Sequence, residues 1–262
     1  MAPSNHVHGA AASGFESGAA TYARGRPDFP PRALDWLRED LALQAGKAVI
    51  DLGAGTGKFT QSLLATGAQV TAIEPVAAMR AHLTQSLPQV VALTGEAQRM
   101  PVPDGSADVV ICAQAFHWFA TADALQEIRR VLKPKGALGL IWNVRDTRVD
   151  WVARLTDIMA PYEGDAPRYD NGEWRRVFPA PGFGASQERT FPHFHVGSPE
   201  RVIVDRVASV SFIAALPERT RAQVLDEVRA LIQATPALAG RDEVRFPYVT
   251  NAYWCRRIAR TT

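Results

Sequence analysis

The chain is short of several things, and each shortage removes a class of protein. Only two cysteines occur in 262 residues, Cys112 and Cys255, too few for a disulfide framework or a four-cysteine zinc site. Cysteine usage this sparse suits the cytoplasm. Charge of one sign is equally scarce. Lysine and arginine number 29 against 27 acids, a net +2, whereas a face built for duplex DNA carries a larger basic surplus. No stretch approaches the roughly 18 unbroken apolar residues that a membrane span requires. The residues from Met1 to Gly14 lack the basic start and apolar centre of a secretory signal. They read as a flexible leader over 1–20, with His6 and His8 solvated rather than metal-bound. Nucleic acid, a membrane and a bound metal are therefore not expected. What remains is 47% apolar and 21% charged, enough to bury a core in a single domain over 21–262.

From Lys47 onward short apolar runs alternate with helical patterns. The runs are Ala48–Leu52, Gln69–Glu74, Val90–Leu93, Asp108–Ala113 and Ala137–Trp142. Near-continuous apolar runs of this length suit strands buried on both faces of a parallel sheet. Between them Phe59, Leu63 and Leu64 share one helical face, and Met79, His82, Leu83 and Leu87 another. Leu125, Ile128, Val131 and Leu132 recur at helical spacing until Pro134 and Gly136 stop that helix. A further helix spans Pro31 to Leu43. This rhythm predicts an α/β fold, a doubly wound, Rossmann-like and mostly parallel sheet.

After Trp142 the rhythm changes. Ser198 and Pro199 look like the cap and first position of a helix from Glu200 to Phe212, and a second helix covers Pro217 to Ala234. The β-like segments Arg189–Val196 and Val244–Ile258 flank this pair. They are expected to form an antiparallel edge hairpin, with 198–240 inserted as a helical cap that serves as a lid. Pro192 suits an edge strand.

The strongest chemical signal is Asp51-Leu-Gly53-Ala-Gly55-Thr-Gly57, which follows a strand and opens a helix. Gly53 and Gly55 allow a sharp turn and close approach of a ligand to the backbone. Dinucleotide sites carry a wider glycine spacing that seats a pyrophosphate. Here an acid, Asp51, precedes the turn and favours a cationic ligand. Glu74 ends the second strand, placed to accept ribose hydroxyls. Together they describe a nucleoside with a cationic tail, S-adenosylmethionine.

The region from about Tyr22 to Trp142 resembles a class I S-adenosylmethionine-dependent methyltransferase. Val49-Ile-Asp-Leu-Gly-Ala-Gly-Thr-Gly57 is similar to that family's first motif and Ala72-Ile-Glu-Pro75 to its second-strand acidic motif. Gly95-Glu-Ala-Gln98 resembles the adenine-flanking segment, and Asp108 to Trp118 the fourth-strand motif. The resemblance implies that Asp51, Gly53, Gly55, Thr56, Gly57, Glu74, Pro75, Met79, Glu96, Ala97 and Gln114 hold the cofactor. Tyr22-Ala-Arg-Gly-Arg-Pro27, Gln114-Ala-Phe-His-Trp118 and Ser209–Pro217 are similar to the trans-aconitate branch of small-molecule methyltransferases. In that branch Tyr22, with Arg26, is implied to cover the cofactor's methionine end.

His117 lies just beyond the fourth strand, where it could accept a substrate proton or pack beneath the adenine. Trp118 and Arg145 are candidates for the acceptor side, Arg145 as a clamp on an anion. Base-methylating enzymes resemble an Asn/Asp-Pro-Pro-aromatic pattern at the position of Gln114-Ala-Phe-His117, which argues against nucleobase methylation. The expected acceptor is a small molecule, a carboxylic acid or a hydroxyl compound. A non-catalytic S-adenosylmethionine-binding module and a nicotinamide oxidoreductase are the rival readings.

Overall fold

The computed structural model describes residues 25–164 and 167–259. The leader, His6, His8 and Tyr22 lie outside the described residues. In chain order the main elements are α1 (Arg32–Glu39), β1 (Ala48–Leu52), α2 (Lys58–Leu64), β2 (Gln69–Ile73), α3 (Ala77–Ser86) and β3 (Val91–Leu93). Then come β4 (Ala107–Ala113), α4 (Ala122–Val131), β5 (Leu132–Arg145), α5 (Asp150–Met159) and β6 (Gln187–Gly197). The last are α6 (Asp205–Ala208), α7 (Ser211–Ala214), α8 (Glu218–Ala234) and β7 (Val244–Arg256).

The seven strands form one sheet in the order β3-β2-β1-β4-β5-β7-β6. β1 pairs in parallel with β2 and β4, β2 with β3, and β4 with β5. The sheet is mixed, mostly parallel with an antiparallel edge, and helices cover both sides, as its sequence rhythm predicts. β6 is the edge strand, so the missing N–H of Pro192 is tolerated.

Contacts divide the chain into two compact units. The first, among described residues, holds 29–144, 167–192 and 250–259. Its two apolar layers lie on opposite faces of the sheet. One contains Ile50, Leu52, Val110, Leu140 and Trp142, and the other Val49, Val70, Val109, Ile111 and Ile141. Alternate residues of β1 and β4 thus feed opposite layers, which explains why these strands read as unbroken apolar runs. Helix α4 shows why the helices form where they do. Thr121 caps it by accepting from the Ala124 N–H at 3.2 Å. Asp123 begins it, Arg129 and Arg130 end it, and Leu125, Ile128 and Val131 turn inward.

The second unit, among described residues, holds 25–28, 145–164 and 193–249. Its own core joins Trp151, Val152, Leu155 and Met159 of α5 to Ile203, Val207, Ile213, Val224 and Val228, and to Phe246 and Tyr248 of β7. The segment 198–240 belongs to this unit. Its first helix departs from expectation. Ser198 does cap the start, accepting from the Arg201 N–H at 3.4 Å, but the continuous helix expected over Glu200–Phe212 breaks into a π-helical turn (Glu200–Val204), α6 and α7. At the break Ser209 turns its hydroxyl back onto the Arg206 carbonyl at 2.7 Å, and Val210 is extended.

Candidate functional site

The glycine turn links β1 to α2 and is laced to the end of β2. The N–H groups of Gly53 and Ala54 donate to the Ile73 carbonyl at 2.8 and 3.3 Å. Two glycines here serve different ends. A Cβ on Gly53 would stand 2.7 Å from the Ala115 Cβ, so this position lets the turn pack against the loop beyond β4. A Cβ on Gly55 would meet nothing nearer than the Met79 Sδ at 3.7 Å, yet its φ is +57°. A Cβ at Gly55 would therefore make an ordinary contact without a clash, and it is the left-handed backbone that favours glycine there. Gly57 follows and opens α2.

Two acids crowd this turn. Glu74 accepts the Gly55 N–H on Oε2 and the Val76 N–H on Oε1, each at 2.8 Å. A carboxylate has about four lone-pair positions, so each oxygen keeps one for a further donor. Burial pushes the Glu74 carboxyl up from its ordinary range, against these two N–H groups and the Arg80 charge. Asp51 is fully buried, and its Oδ2 accepts the Thr60 hydroxyl at 2.6 Å. Burial raises Asp51 to about 7, the Thr60 hydrogen bond opposing and the Glu74 charge adding. Among the described residues, Asp51 Oδ1 and Thr56 Oγ1 are buried without a hydrogen-bond partner. Unsatisfied polar atoms at a glycine turn mark a place where a polar ligand is accommodated.

Around the turn the other expected cofactor residues occupy several elements. Met79 is buried on α3, Ala97 is buried and Glu96 half-buried after β3. Pro75 follows Glu74 and lends its carbonyl to Arg80 Nη1 at 3.3 Å. Gln114 follows β4 with φ +58°, a conformation rare outside glycine, and its Nε2 donates to the Asn143 carbonyl at 3.1 Å. Strain of this kind gathers at functional sites. Asn143 is itself fixed, its Oδ1 accepting the Thr250 hydroxyl at 2.6 Å.

His117 sits in the helical turn Phe116–Trp118. Its Nδ1 accepts the Trp142 indole N–H at 3.1 Å. An indole nitrogen only donates, so the neutral ring carries its proton on Nε2. In this tautomer the Nδ1 lone pair is engaged by Trp142. The Trp118 ring lies 5.1 Å from the His117 ring. Arg145 falls in the second unit, with Nη1 3.2 Å from Met159 Sδ. Arg26, also there, donates to the Ser209 carbonyl at 3.1 Å. Both cysteines are buried, which pushes Cys112 far up and Cys255 to about 12, so neither is a nucleophile.

One cluster escaped the sequence reading. Trp142 lies 4.6 Å from Trp174 and 5.0 Å from Tyr169 by ring centres, and Trp174 lies 5.2 Å from Tyr253. The two phenolic oxygens are 2.8 Å apart. Arg175 stacks over Trp174 and Tyr253 and donates to the Tyr253 oxygen at 2.7 Å. The aromatic residues near 170 were the available signal, but their partners lie far off in sequence. Among the described residues no group of three His, Cys, Asp or Glu is placed to hold a metal, and no helix is long and apolar enough to cross a membrane.

Comparison with known proteins agrees with this geometry. A methyltransferase-domain family model matches residues 50–140. The chain is 42% identical over 236 residues to an uncharacterized methyltransferase of Mycobacterium tuberculosis, covering 90% of this chain and 92% of the relative. It is 35% identical over 240 residues to a methyltransferase-like protein of Schizosaccharomyces pombe, covering 91% and 93%. Among solved structures it is similar to one assigned as a type II methyltransferase from Anaeromyxobacter dehalogenans. The TM-score is 0.66 at 23% identity, over 89% of this chain and 97% of that one. The phosphoethanolamine N-methyltransferase 2 of Haemonchus contortus, solved with S-adenosyl-L-methionine, aligns at TM-score 0.54 and 15% identity, over 93% of this chain and 57% of that one.

Proposed function

Because the chain belongs to the class I S-adenosylmethionine-dependent methyltransferases, we propose that its glycine turn binds S-adenosylmethionine and that it methylates a small-molecule acceptor. One observation carries the cofactor assignment: the Gly55 N–H, on a left-handed backbone that favours glycine, is held on Glu74 Oε2 at 2.8 Å. The residues present fit the group. Glu74 retains lone pairs for ribose hydroxyls, and Asp51 Oδ1 and Thr56 Oγ1 are buried polar atoms needing partners. Met79, Pro75 and Ala97 would flank the adenine, Glu96 would accept its amine, and Gln114 would close the site at the end of β4. When bound, the cofactor supplies an electrophilic methyl group on a sulfonium centre.

The chain's own residues then need only orient the acceptor and exclude water, because in-line transfer gains much of its rate from positioning. His117, as a donor at Nε2, would orient an acceptor oxygen rather than deprotonate it. Trp118 and Arg145 are assigned to the acceptor side, and the unit containing 198–240 to acceptor choice, since the family match ends at residue 140. The acceptor is read as a carboxylated or hydroxylated small molecule. Incubation with methyl-labelled S-adenosylmethionine and a panel of small acids, phenols and quinols tests this. Label on an acid or hydroxyl compound that falls sharply in Arg145→Ala is the expected outcome. Absence of label across the whole panel, with S-adenosylmethionine still bound, would defeat the acceptor assignment.

A further inference from the structure

The Tyr169–Tyr253 pair has one proton more than it has acceptors. Tyr253 oxygen accepts from Arg175 Nη2 at 2.7 Å, and Tyr169 oxygen accepts from Asn251 Nδ2 at 2.9 Å. At its other end the Asn251 Oδ1 accepts the Thr190 hydroxyl at 3.1 Å. Only one of the two phenolic protons can lie in the 2.8 Å link between the oxygens. The other has no acceptor inside the cluster. Tyr253 is buried and Tyr169 half-buried, so the arrangement that leaves the spare proton where a ligand can reach it runs from Arg175 through Tyr253 to Tyr169. A cation at the head of such a chain strengthens every donor after it.

The guanidinium is committed to this place. It is stacked at 4.5 Å on Trp174 and 4.8 Å on Tyr253, and among the described residues it forms no ion pair. The cluster also joins the loop after β4, because the Tyr169 ring packs at a tilt against Trp142, whose indole N–H is bound to His117. We propose that Tyr169, Tyr253 and Arg175 form an anchoring subsite for a carboxylate of the methyl acceptor, an inference that rests on the methyltransferase reading given above. One phenolic donor and one positive charge match one carboxylate, whereas a phosphate would leave a second charge unpaired. Burial holds the Tyr169 proton on well above the ordinary phenol range, so Tyr169 remains a donor at neutral pH. A carboxylate gripped by a donor and a cation is a poor nucleophile. The group held here is therefore a handle, and the methyl goes to another atom of the same molecule.

The test compares acetate, succinate and benzoate with their methyl esters by saturation-transfer NMR, with and without S-adenosylhomocysteine on the protein. At least one carboxylate should bind about tenfold more tightly than its ester. Tyr169→Phe and Arg175→Gln should each erase that preference, and Asn251→Asp, which supplies an internal acceptor and a repelling charge, should abolish it. Affinity for S-adenosylhomocysteine, measured by calorimetry, should be unchanged in all three, and serves as the control for folding. No carboxylate preferred over its ester, or a preference that survives both Tyr169→Phe and Arg175→Gln, would overturn the subsite. Failure of the wild-type protein to bind S-adenosylhomocysteine would instead strike the cofactor reading, and the ester comparison without it would still decide the subsite.

Discussion

Asp51 shows at the scale of one residue how function and stability pull apart. Its carboxyl lies fully buried beside Glu74, with burial raising it from 3.8 to about 7. A carboxyl raised on folding lends stability below its unfolded value, and that stability is lost as pH rises through the folded value. The loss should accumulate between about pH 4 and pH 7, to on the order of 4 kcal/mol at most. Asp51→Asn keeps the Thr60 hydrogen bond and removes the charge. The ligand-free variant should gain thermal stability over the wild type progressively from pH 4 to 7, with a constant gap above. A gap that does not vary with pH would show that the Asp51 carboxyl is not held protonated by the fold. The retained acid is best understood as a site feature, costly to an empty protein and favourable once a cationic ligand lies near it.

At the scale of elements, the sheet is pinned near the start of β1 by a surface carboxylate. Asp108 on β4 accepts the Ala48 N–H at 3.0 Å, Lys133 at 2.7 Å and Lys47 at 3.1 Å, which ties β1, β4 and β5 together. Partial burial pushes this carboxyl up, but the three donors outweigh it and hold it at about 2. Its stabilisation is present above the unfolded value near 4 and is lost as pH falls through 2. Asp108→Asn should cost about 1–3 kcal/mol in urea unfolding at pH 7, with the penalty shrinking below pH 4. An unchanged midpoint at pH 7 would show that the three strands do not depend on this clamp.

The same scale shows what sequence can and cannot reveal. Strands β1, β2, β4 and the central part of β5 were legible because burial on both faces leaves no polar alternation to confuse the pattern. The edge position of β6 followed from Pro192. Helix α5 carries Trp151, Val152, Leu155 and Met159 on its buried face, a pattern the sequence contained but the reading passed over. The break at Ser209 depends on a hydroxyl's choice between solvent and its own backbone, which helical periodicity does not encode. Gly55 and Glu74 were legible because strand, turn and acid follow one another at short range. The phenol pair was not, because Tyr169 and Tyr253 stand 84 residues apart and meet only through the fold. Nor could the sequence tell that Trp142 would engage the His117 Nδ1 and set its tautomer.

On the scale of the whole molecule, each of the two units carries its own core, and the family match at 50–140 falls within the first. The shared part of the family thus coincides with the glycine turn, Glu74 and the end of β4. The proposed acceptor contacts Tyr169, Arg175 and Tyr253 come from later in the chain, beyond the residues that the family model matches. All of this depends on the glycine turn and Glu74 being a cofactor site. Calorimetric titration with S-adenosylhomocysteine of the wild type and of Glu74→Gln tests that most directly. Glutamine sets an amide NH2 against one of the N–H groups that Glu74 now accepts, and weakens the acceptor offered to ribose hydroxyls. The wild type should bind one equivalent, and Glu74→Gln should bind about 10- to 100-fold more weakly, a loss of roughly 1–3 kcal/mol. Equal affinity in the two proteins, or no binding by the wild type, would contradict the account.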